Sequence, residues 1–295
     1  MAGTAGAIAP ILVYGLVDGA TYALISLGFT LIFGVSRLLN LVYGALYMVA
    51  GYAIFAFVVQ DGLSVYVVAP VAVALVIGVG VGTFFLFARR NPDPMRFMVG
   101  TLLAALFLQY YFSYSFGGQV GYVVPGLLSS GSVLVGGVSV RENSILAAGV
   151  SIVLVAVLYF WVERTSSGRI LRATAQDPET VSLFGIAPAR VALLVVALSS
   201  ALIGVAAVLV VPTSEVTPTM WTDPFVIAFV VAIVGGLGRF LWTLPAAFLL
   251  SFTQEIVQYY TPYNVTDLAA FAVAIAFILV LPRGIGGLWE AHRVG

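Results

Sequence analysis

Long apolar runs, separated by short polar stretches, account for most of the chain. Eight of these runs approach the roughly 20 residues that one helical crossing of a bilayer needs, and they lie at about 8–34, 41–60, 64–88, 97–115, 143–162, 189–211, 242–259 and 265–281. A ninth run, at about 224–236, is shorter and ends in a glycine-rich sequence between Gly235 and Arg239. A glycine break in a bilayer needs protein or water to satisfy the freed backbone groups, so this run predicts either a short crossing or half of a re-entrant pair.

The composition agrees with this pattern. With 62% hydrophobic residues, 8% charged residues and a mean hydropathy of +1.13, the 295-residue chain lies far outside the range of soluble domains. Its 31 glycines suit close packing between transmembrane helices. We therefore predict an all-α fold, a polytopic transmembrane helical bundle of about 8–9 membrane segments including the glycine-broken helix. Residues 1–295 form a single transmembrane domain in this prediction.

The arginines predict how the bundle is oriented, because short loops rich in basic residues stay in the cytoplasm. Seven of the twelve arginines fall in two loops, at positions 89, 90 and 96 and at positions 164, 169, 172 and 190. The loops 116–142 and 212–223 hold one arginine between them, Arg141. We predict that the N-terminus lies outside and the C-terminus in the cytoplasm, whether 224–259 forms two crossings or one re-entrant hairpin.

The longest polar interruption, residues 165–190, predicts two short helices with a stop between them; we call it the knob. Asp177 can cap the second helix by accepting hydrogen bonds from backbone N–H groups, and Pro178 suits the first helical position. Gly185 suits a left-handed stop at the other end of this helix. The sequence therefore predicts a helix-turn-helix knob on the cytoplasmic face.

Two interpretations of the knob are open. Val181 and Phe184 are spaced i, i+3, as on a short helix that inserts into a groove of another protein. The same residues also fit an amphipathic loop that rests on the lipid surface.

Several kinds of chemistry are excluded or disfavoured. The chain has no cysteine, which removes disulfides, thiolate metal sites and cysteine nucleophiles. Its one histidine, His292, leaves little for a metal cluster or a Ser-His-Asp triad, so we predict no catalytic residue and no metal site. The net charge is zero, which gives no sign of a nucleic-acid partner.

Three polar residues within or beside the apolar runs are candidates for function, since ionisable groups are expensive in a bilayer. Asp18 lies in the first run, Glu255 in the run 242–259, and Asn40 just before the second run. These residues either line a hydrated pathway or form hydrogen bonds between helices, typically worth ~0.6 kcal/mol each. The sequence leaves both interpretations open.

A weak internal repeat at an offset of 202 residues suggests where such a pathway runs. The segment from Gly34 to Arg37 aligns with the segment from Gly236 to Arg239, and Gly44 aligns with Ala246. Chance similarity between apolar, glycine-rich segments is the alternative. If the repeat is genuine, the two Gly-x-x-Arg segments flank a central pathway, as paired interrupted helices do in transporters.

Three stretches of the chain carry a resemblance to a known family. The first signature is Gly19-Ala20-x-Tyr22-Ala23-Leu24 continuing to Val35, followed by Asn40, Gly44, Met48 and Gly51. The second is Gly168-Arg169-x-x-Arg172-Ala173 continuing to Glu179, then Leu183-x-Gly185-Ile186. The third runs from Ala232 to Gly238 and includes Pro245 and Ala246 beyond it. In these stretches the chain resembles the permease subunits of bacterial ABC importers for branched-chain amino acids and related amides. It departs from the family pattern at Val42-Tyr43-Gly44-Ala45, where typical amino-acid permeases have Ala-His-Gly-Glu.

The resemblance implies a multi-pass permease subunit in the bacterial inner membrane, with the knob as its ATPase-coupling loop. Partners would be a second permease subunit in a heterodimer, two cytoplasmic ATPases that bind ATP and magnesium, an extracytoplasmic binding protein and membrane lipid. This chain would bind no cofactor, and it lacks a phosphate-binding lysine loop because it has no lysine. The expected coupling residues are Arg169, Arg172, Asp177, Pro178, Val181, Phe184 and Gly185. The expected pathway residues are Asp18, Asn40, Gly44, Gly235, Gly236, Gly238 and Glu255.

In this interpretation Arg169 and Arg172 pair either with acids on an ATPase or with anionic lipid. The solute is a small polar molecule, a branched-chain amino acid, amide, urea or sugar. The alternative function is a stand-alone secondary transporter or channel, for which acids at the midplane and no cytoplasmic knob would be expected. An intramembrane enzyme is disfavoured by the scarcity of acid-base and nucleophilic groups.

Overall fold

The computed structural model describes residues 2–88, 93–118, 120–128 and 131–260, together with residues 272, 275 and 276. Between Ala2 and Tyr260 it contains helices α1 Ala2–Ser36, α2 Val42–Ile54, α3 Val65–Phe87, α4 Pro94–Ser115, α5 Glu142–Arg164, α6 Ser166–Gln176, α7 Pro178–Leu183, α8 Pro188–Val210, α9 Thr222–Gly235 and α10 Phe240–Tyr260, and strands β1 Ser132–Val135 and β2 Val138–Arg141. A π-helical turn, Phe55–Gln60, extends α2, and a 3₁₀ turn, Val211–Thr213, follows α8.

Seven helices in this part of the chain are long and apolar enough to cross a membrane, which confirms a polytopic helical bundle. They coincide with seven of the predicted apolar runs. Helix α9 is shorter: its 14 residues span about 21 Å, less than the hydrocarbon thickness of a bilayer. The predicted span 265–281 lies almost entirely outside the described residues and stays a prediction.

The described residues are mostly helical, with one short hairpin that the sequence analysis did not predict. Strands β1 and β2 pair antiparallel in the loop before α5, with Ser132 opposite Arg141. Gly136 and Gly137 join them with φ values of 60° and 84°. Two consecutive positive φ angles give the tight turn whose twist matches a hairpin, and glycine adopts them without steric cost.

Helices α1 and α2 lie at the centre of the bundle. Every residue of α2 is buried, and α1 packs against α5, α8, α9 and α10. Helices α3, α4 and α5 instead expose large apolar side chains such as Leu86, Phe107 and Val153. In a membrane these exposed side chains face lipid, so the polar groups with a role in transport are expected around α1.

Small residues bring α1 and α10 together. A Cβ added at Gly19 would collide with the ring of Phe248, and one at Gly15 with that of Phe252. The Ser251 hydroxyl donates a 3.0 Å hydrogen bond to the Gly15 carbonyl. This close approach places Asp18 of α1 and Glu255 of α10 in the same part of the bundle.

Candidate functional site

The knob consists of α6 and α7, and both begin at the expected kind of cap. The Thr165 hydroxyl accepts from the Gly168 N–H at 3.1 Å to start α6. Asp177 Oδ1 accepts from the N–H groups of Glu179 and Thr180, both at 3.0 Å, to start α7. Gly185 follows α7 with a φ of 79°. The cap, the proline at the first position and the left-handed stop therefore lie where the sequence places them.

Hydrogen bonds also keep the Asp177 carboxylate charged. The side-chain hydrogen bond from Thr180 lowers the pKa of Asp177 below its ordinary value, and the backbone N–H groups of α7 lower it further. A charged carboxylate at the N-terminus of a helix is favoured by the helix dipole.

The apolar residues of α7 and its C-terminal end differ in exposure. Phe184 is 80% exposed and Leu183 is 85% exposed, whereas Val181 is only 7% exposed. Val181 and Phe184 nevertheless line the same groove on the knob, and their shared docking face stays a prediction. Leu183 and Phe184 therefore give the knob an exposed apolar surface.

Both arginines of α6 have partners within the chain. Arg172 forms an ion pair with Glu163 at the end of α5, and its Nη2 also donates to the Glu163 carbonyl at 3.3 Å. Arg169 donates to the Ser166 hydroxyl at 2.9 Å on the exposed side of α6. The Arg172 ion pair braces α6 against α5, and a contact of either arginine with an ATPase or with lipid stays a prediction.

Arg37 makes a contact with the knob that sequence analysis missed. It follows α1 with a φ of 51°, an uncommon value for a residue other than glycine. Its Nη2 donates to the carbonyls of Ala175 and Gln176, at 3.3 and 3.2 Å. These carbonyls end α6, where a helix lacks internal donors and where its dipole favours a cation. Arg37 thus ties the end of the central helix to the knob.

The two Gly-x-x-Arg segments meet next to this tie. A Cβ on Gly34 would lie 3.2 Å from the Cα of Gly238, and a Cβ on Gly238 would lie 3.1 Å from the Cα of Gly34. Gly236 ends α9 with a φ of 97°, and a Cβ on Gly235 would lie 2.9 Å from the Trp242 carbonyl. We call the backbone contact between Gly34 and Gly238 the glycine contact. That these two segments belong to a genuine internal repeat stays a prediction.

The knob, Arg37 and the glycine contact surround one cavity of about 630 Å³. Three arginines line it, Arg37, Arg172 and Arg239, together with Glu163 and Gln176. The knob contacts the end of α1 through Arg37, and the end of α1 contacts the loop after α9 through the glycine contact. A movement of the knob could therefore be passed to the ends of both helices through these contacts.

At the other end of the bundle, the carboxyl groups of Asp18 and Glu255 are close enough to interact electrostatically. Asp18 also borders two cavities, of about 840 Å³ and about 410 Å³. Asp18 therefore has a partner on another helix and also lines open cavities. Its role in a pathway stays a prediction, as does that of Glu255.

Asn40 and Gly44 serve local packing. Asn40 is buried, and its Oδ1 accepts from the N–H of Val42 at 3.2 Å, at the start of α2. A Cβ on Gly44 would lie 2.6 Å from the Trp221 carbonyl, so this glycine allows α2 to approach the start of α9. These contacts stabilise the bundle around α2, and a direct role in the pathway stays a prediction.

Tyr43 occupies one of the three positions at which the chain departs from the family pattern between Val42 and Ala45. It is fully buried, and its hydroxyl donates a 2.6 Å hydrogen bond to the Ile25 carbonyl. Its ring packs edge to face on Phe29, with the ring centres 5.7 Å apart. The substituted position therefore joins α2 to α1.

A match to a family model shows which protein family the chain belongs to. A family model described as the permease component of branched-chain amino acid transport systems matches residues 11–281. The chain belongs to this family. Its relatives include the high-affinity branched-chain amino acid permease proteins LivH of Escherichia coli and BraD of Pseudomonas aeruginosa. LivH is 25% identical, with 95% of this chain and 96% of the relative covered. BraD is 26% identical, with 96% and 97% covered.

A solved structure supports the fold of this permease. A chain from a proposed metal-chelate type ABC transporter in an inward-facing conformation superposes with a TM-score of 0.51. The sequences are 17% identical, and the match covers 90% of this chain and 83% of that chain. The protein is thus a translocation subunit of an ABC system with ATPase and permease partners, and a multi-pass protein of the inner membrane.

Proposed function

We propose that this permease forms half of the pathway of an ABC importer that moves a branched-chain amino acid or a related small polar solute into the cell. The observation that carries the proposal is the link from the knob through Arg37 to the glycine contact. The other half of the pathway comes from a second, different permease subunit, and an external binding protein delivers the solute. The family supports this solute class, because LivH and BraD are permeases for branched-chain amino acids.

The proposed mechanism is mechanical. An ATPase binds the knob at Leu183 and Phe184 and moves it when ATP is bound and hydrolysed. Arg37 carries this displacement to the end of α1, which separates or closes the glycine contact at the cytoplasmic end of the pathway. This chain binds no ATP itself. The direct test is uptake of radiolabelled leucine into cells that express the complete transporter; absence of uptake would contradict the proposed solute.

The proposed orientation places the knob in the cytoplasm. Reporter fusions after Arg90 or Arg172 are expected to report a cytoplasmic position, and fusions near Ser130 or Pro218 an external one, because arginine-bearing loops are retained inside. The measurement is the activity of a reporter that functions on one side only. The reverse pattern would overturn the orientation.

Removing the Arg37 tie is expected to uncouple ATP hydrolysis from transport. In Arg37→Ala the knob still binds the ATPase, but its motion no longer reaches α1 directly. We expect about a fivefold fall in solute transported per ATP, the low end of coupling energies between sites. The measurement is simultaneous uptake and ATP hydrolysis in proteoliposomes.

Arg96→Ala is the matched control for this variant. Arg96 is exposed in the first turn of α4, and its Nε lies 3.5 Å from Asp93 Oδ2. A surface ion pair of this kind contributes little, so the control is expected to keep normal coupling. An unchanged ratio of transport to hydrolysis in Arg37→Ala would refute the role of the tie.

A further inference from the structure

One cleft runs along α1, α5 and α10 through two cavities that meet. The first is the cavity of about 630 Å³ beside the knob, and the second, of about 520 Å³, lies further along the same three helices. Phe240 and Leu241 line both cavities. On α1 the lining continues from the second cavity into the first at helical spacing, through Ala20, Ala23, Leu27, Thr30 and Gly34. The two cavities therefore form one continuous cleft.

The cavity of about 520 Å³ has an apolar lining, and we call it the apolar groove. Ala23 and Val155 form its floor, since both are buried, while Ile152 and Leu241 are exposed at its edges. The groove follows about two turns of α1, or roughly 10 Å. One leaflet of a bilayer supplies about 15 Å of hydrocarbon, half of the total thickness. The groove therefore has the length and the chemistry to hold an acyl chain of a single leaflet.

The cavity of about 630 Å³ is basic, and we call it the arginine cavity. Its described lining contains three arginines, Arg37, Arg172 and Arg239, and one acid, Glu163. Since the chain has no lysine and its histidine lies outside this lining, the described wall carries a net charge of +2. Such a wall attracts an anion to one end of the apolar groove.

The arginine cavity also offers donors for an anionic oxygen. In the part of the chain that the structure describes, Arg37 makes its hydrogen bonds through Nη2, and a guanidinium has five N–H donors. The 21-residue helix α10 begins in the wall, with Phe240, Leu241 and Trp242 in the lining. The N-terminus of a helix favours an anion, and guanidinium groups bind phosphate oxygens well. Phosphate chemistry therefore fits this end of the cleft.

Aromatic residues mark the depth at which the two cavities meet. Tyr159 lines the apolar groove near the end of α5, and Trp242 lines the arginine cavity in the first turn of α10. Tyrosine and tryptophan are enriched at the level of the lipid headgroups. The cleft thus passes from the hydrocarbon region to the headgroup region where its lining changes from apolar to basic.

We infer that this cleft binds one anionic phospholipid of the cytoplasmic leaflet. An acyl chain lies in the apolar groove, and the phosphate lies in the arginine cavity. Basic pockets between transmembrane helices on the cytoplasmic side bind anionic headgroups, which agrees with this arrangement. The inference goes beyond the proposed function and takes from it only the side of the membrane.

Photo-cross-linking in vesicles tests the site. Two phospholipids carry the same diazirine-bearing acyl chain, one on phosphatidylglycerol, which is anionic, and one on phosphatidylcholine, which has no net charge. Each is added in trace amounts to phosphatidylcholine vesicles that hold the assembled transporter, and cross-linked peptides are identified by mass spectrometry. Each basic residue near an anionic headgroup raises its affinity about fivefold, so the phosphatidylglycerol probe is expected to label the groove walls on α5 and α10 at least about fivefold more.

Charge variants test the arginine cavity. Arg239→Gln is expected to lower the preference for the phosphatidylglycerol probe about fivefold, whereas Arg239→Lys keeps the charge and is expected to keep the preference. Arg190→Gln is the matched control, because Arg190 is exposed at the start of α8, outside the described lining. An unchanged preference in Arg239→Gln, or an equal fall in Arg190→Gln, would overturn the inference.

Filling the apolar groove tests the position of the acyl chain. Ala156 is exposed in the groove wall, so Ala156→Trp is expected to prevent labelling of the walls by either probe. Val157→Trp adds a bulky side chain at an exposed position of α5 outside the described lining, and labelling is expected to persist. Equal labelling of these two variants would show that the acyl chain lies elsewhere.

Two further outcomes would identify a different ligand or occupant. Inorganic phosphate, compared with chloride at equal ionic strength, is not expected to reduce labelling by the phosphatidylglycerol probe; a marked reduction would indicate a site for soluble phosphate and overturn the inference. Absence of lipid labelling on both walls would mean that protein covers the groove, either the second permease subunit or residues 265–281 of this chain, and would also overturn it. Cross-linking needs no transport, so it is independent of the leucine uptake assay that tests the proposed function.

Discussion

Gly236→Val is expected to abolish transport while the permease still inserts into the membrane. Gly236 has a φ of 97° between α9 and α10, a conformation that a β-branched residue tolerates poorly. Forcing such a residue into it costs about 1–3 kcal/mol. Relief of that strain would move the loop that carries Gly238 away from Gly34, at the cytoplasmic end of the proposed pathway. Leucine uptake by the complete transporter is the measurement.

Two further variants separate the glycine contact from general damage. Gly34→Ala leaves the loop conformation alone but places a Cβ 3.2 Å from the Cα of Gly238, so a partial loss of uptake is expected. Gly78→Val is the matched control, because a Cβ at Gly78 in α3 meets nothing within 4 Å and normal uptake is expected. Full uptake in Gly236→Val, with normal protein levels, would argue against a role for this break in transport.

Phe184→Asp is expected to prevent assembly with the ATPase. Phe184 is 80% exposed in the isolated chain, so the change leaves the fold of the permease intact. If Phe184 enters a groove on the ATPase, aspartate places an unpaired charge there. Central aromatic residues of an interface are commonly worth at least about 2 kcal/mol, or roughly thirtyfold in Kd. Co-purification of the ATPase and substrate-stimulated ATP hydrolysis are the measurements.

The controls distinguish a docking surface from a loop that rests on lipid. Phe184→Leu keeps an apolar side chain and is expected to retain assembly. Met95→Asp changes another exposed apolar residue, 63% exposed in the isolated chain, on the same proposed face but outside the knob, and is also expected to assemble. Normal assembly and hydrolysis in Phe184→Asp would identify the knob as an ordinary interfacial loop and remove the main physical support for the proposed mechanism.

Local features of this permease were predictable because their causes are local. A run of apolar residues long enough to cross a bilayer forms a helix whatever surrounds it, so the described spans agree with the sequence pattern. The knob was predictable for the same reason, since Asp177, Pro178 and Gly185 act on backbone groups within a few residues. The hairpin at Gly136 and Gly137 is also local, and its paired glycines were a usable signal that sequence analysis overlooked.

Tertiary structure alone decided which distant groups meet. Arg37 reaches carbonyls 138 and 139 residues away, and the hydrophobic pattern carries no information about that partner. The burial of Val181 and the exposure of Phe184 likewise depend on how the knob packs against the bundle. In a bilayer every apolar helix face is equally compatible with lipid, so hydrophobicity fixes which segments cross but does not fix which faces pair. Those pairings come from small residues and hydrogen bonds between segments far apart in the chain, as in the glycine contact.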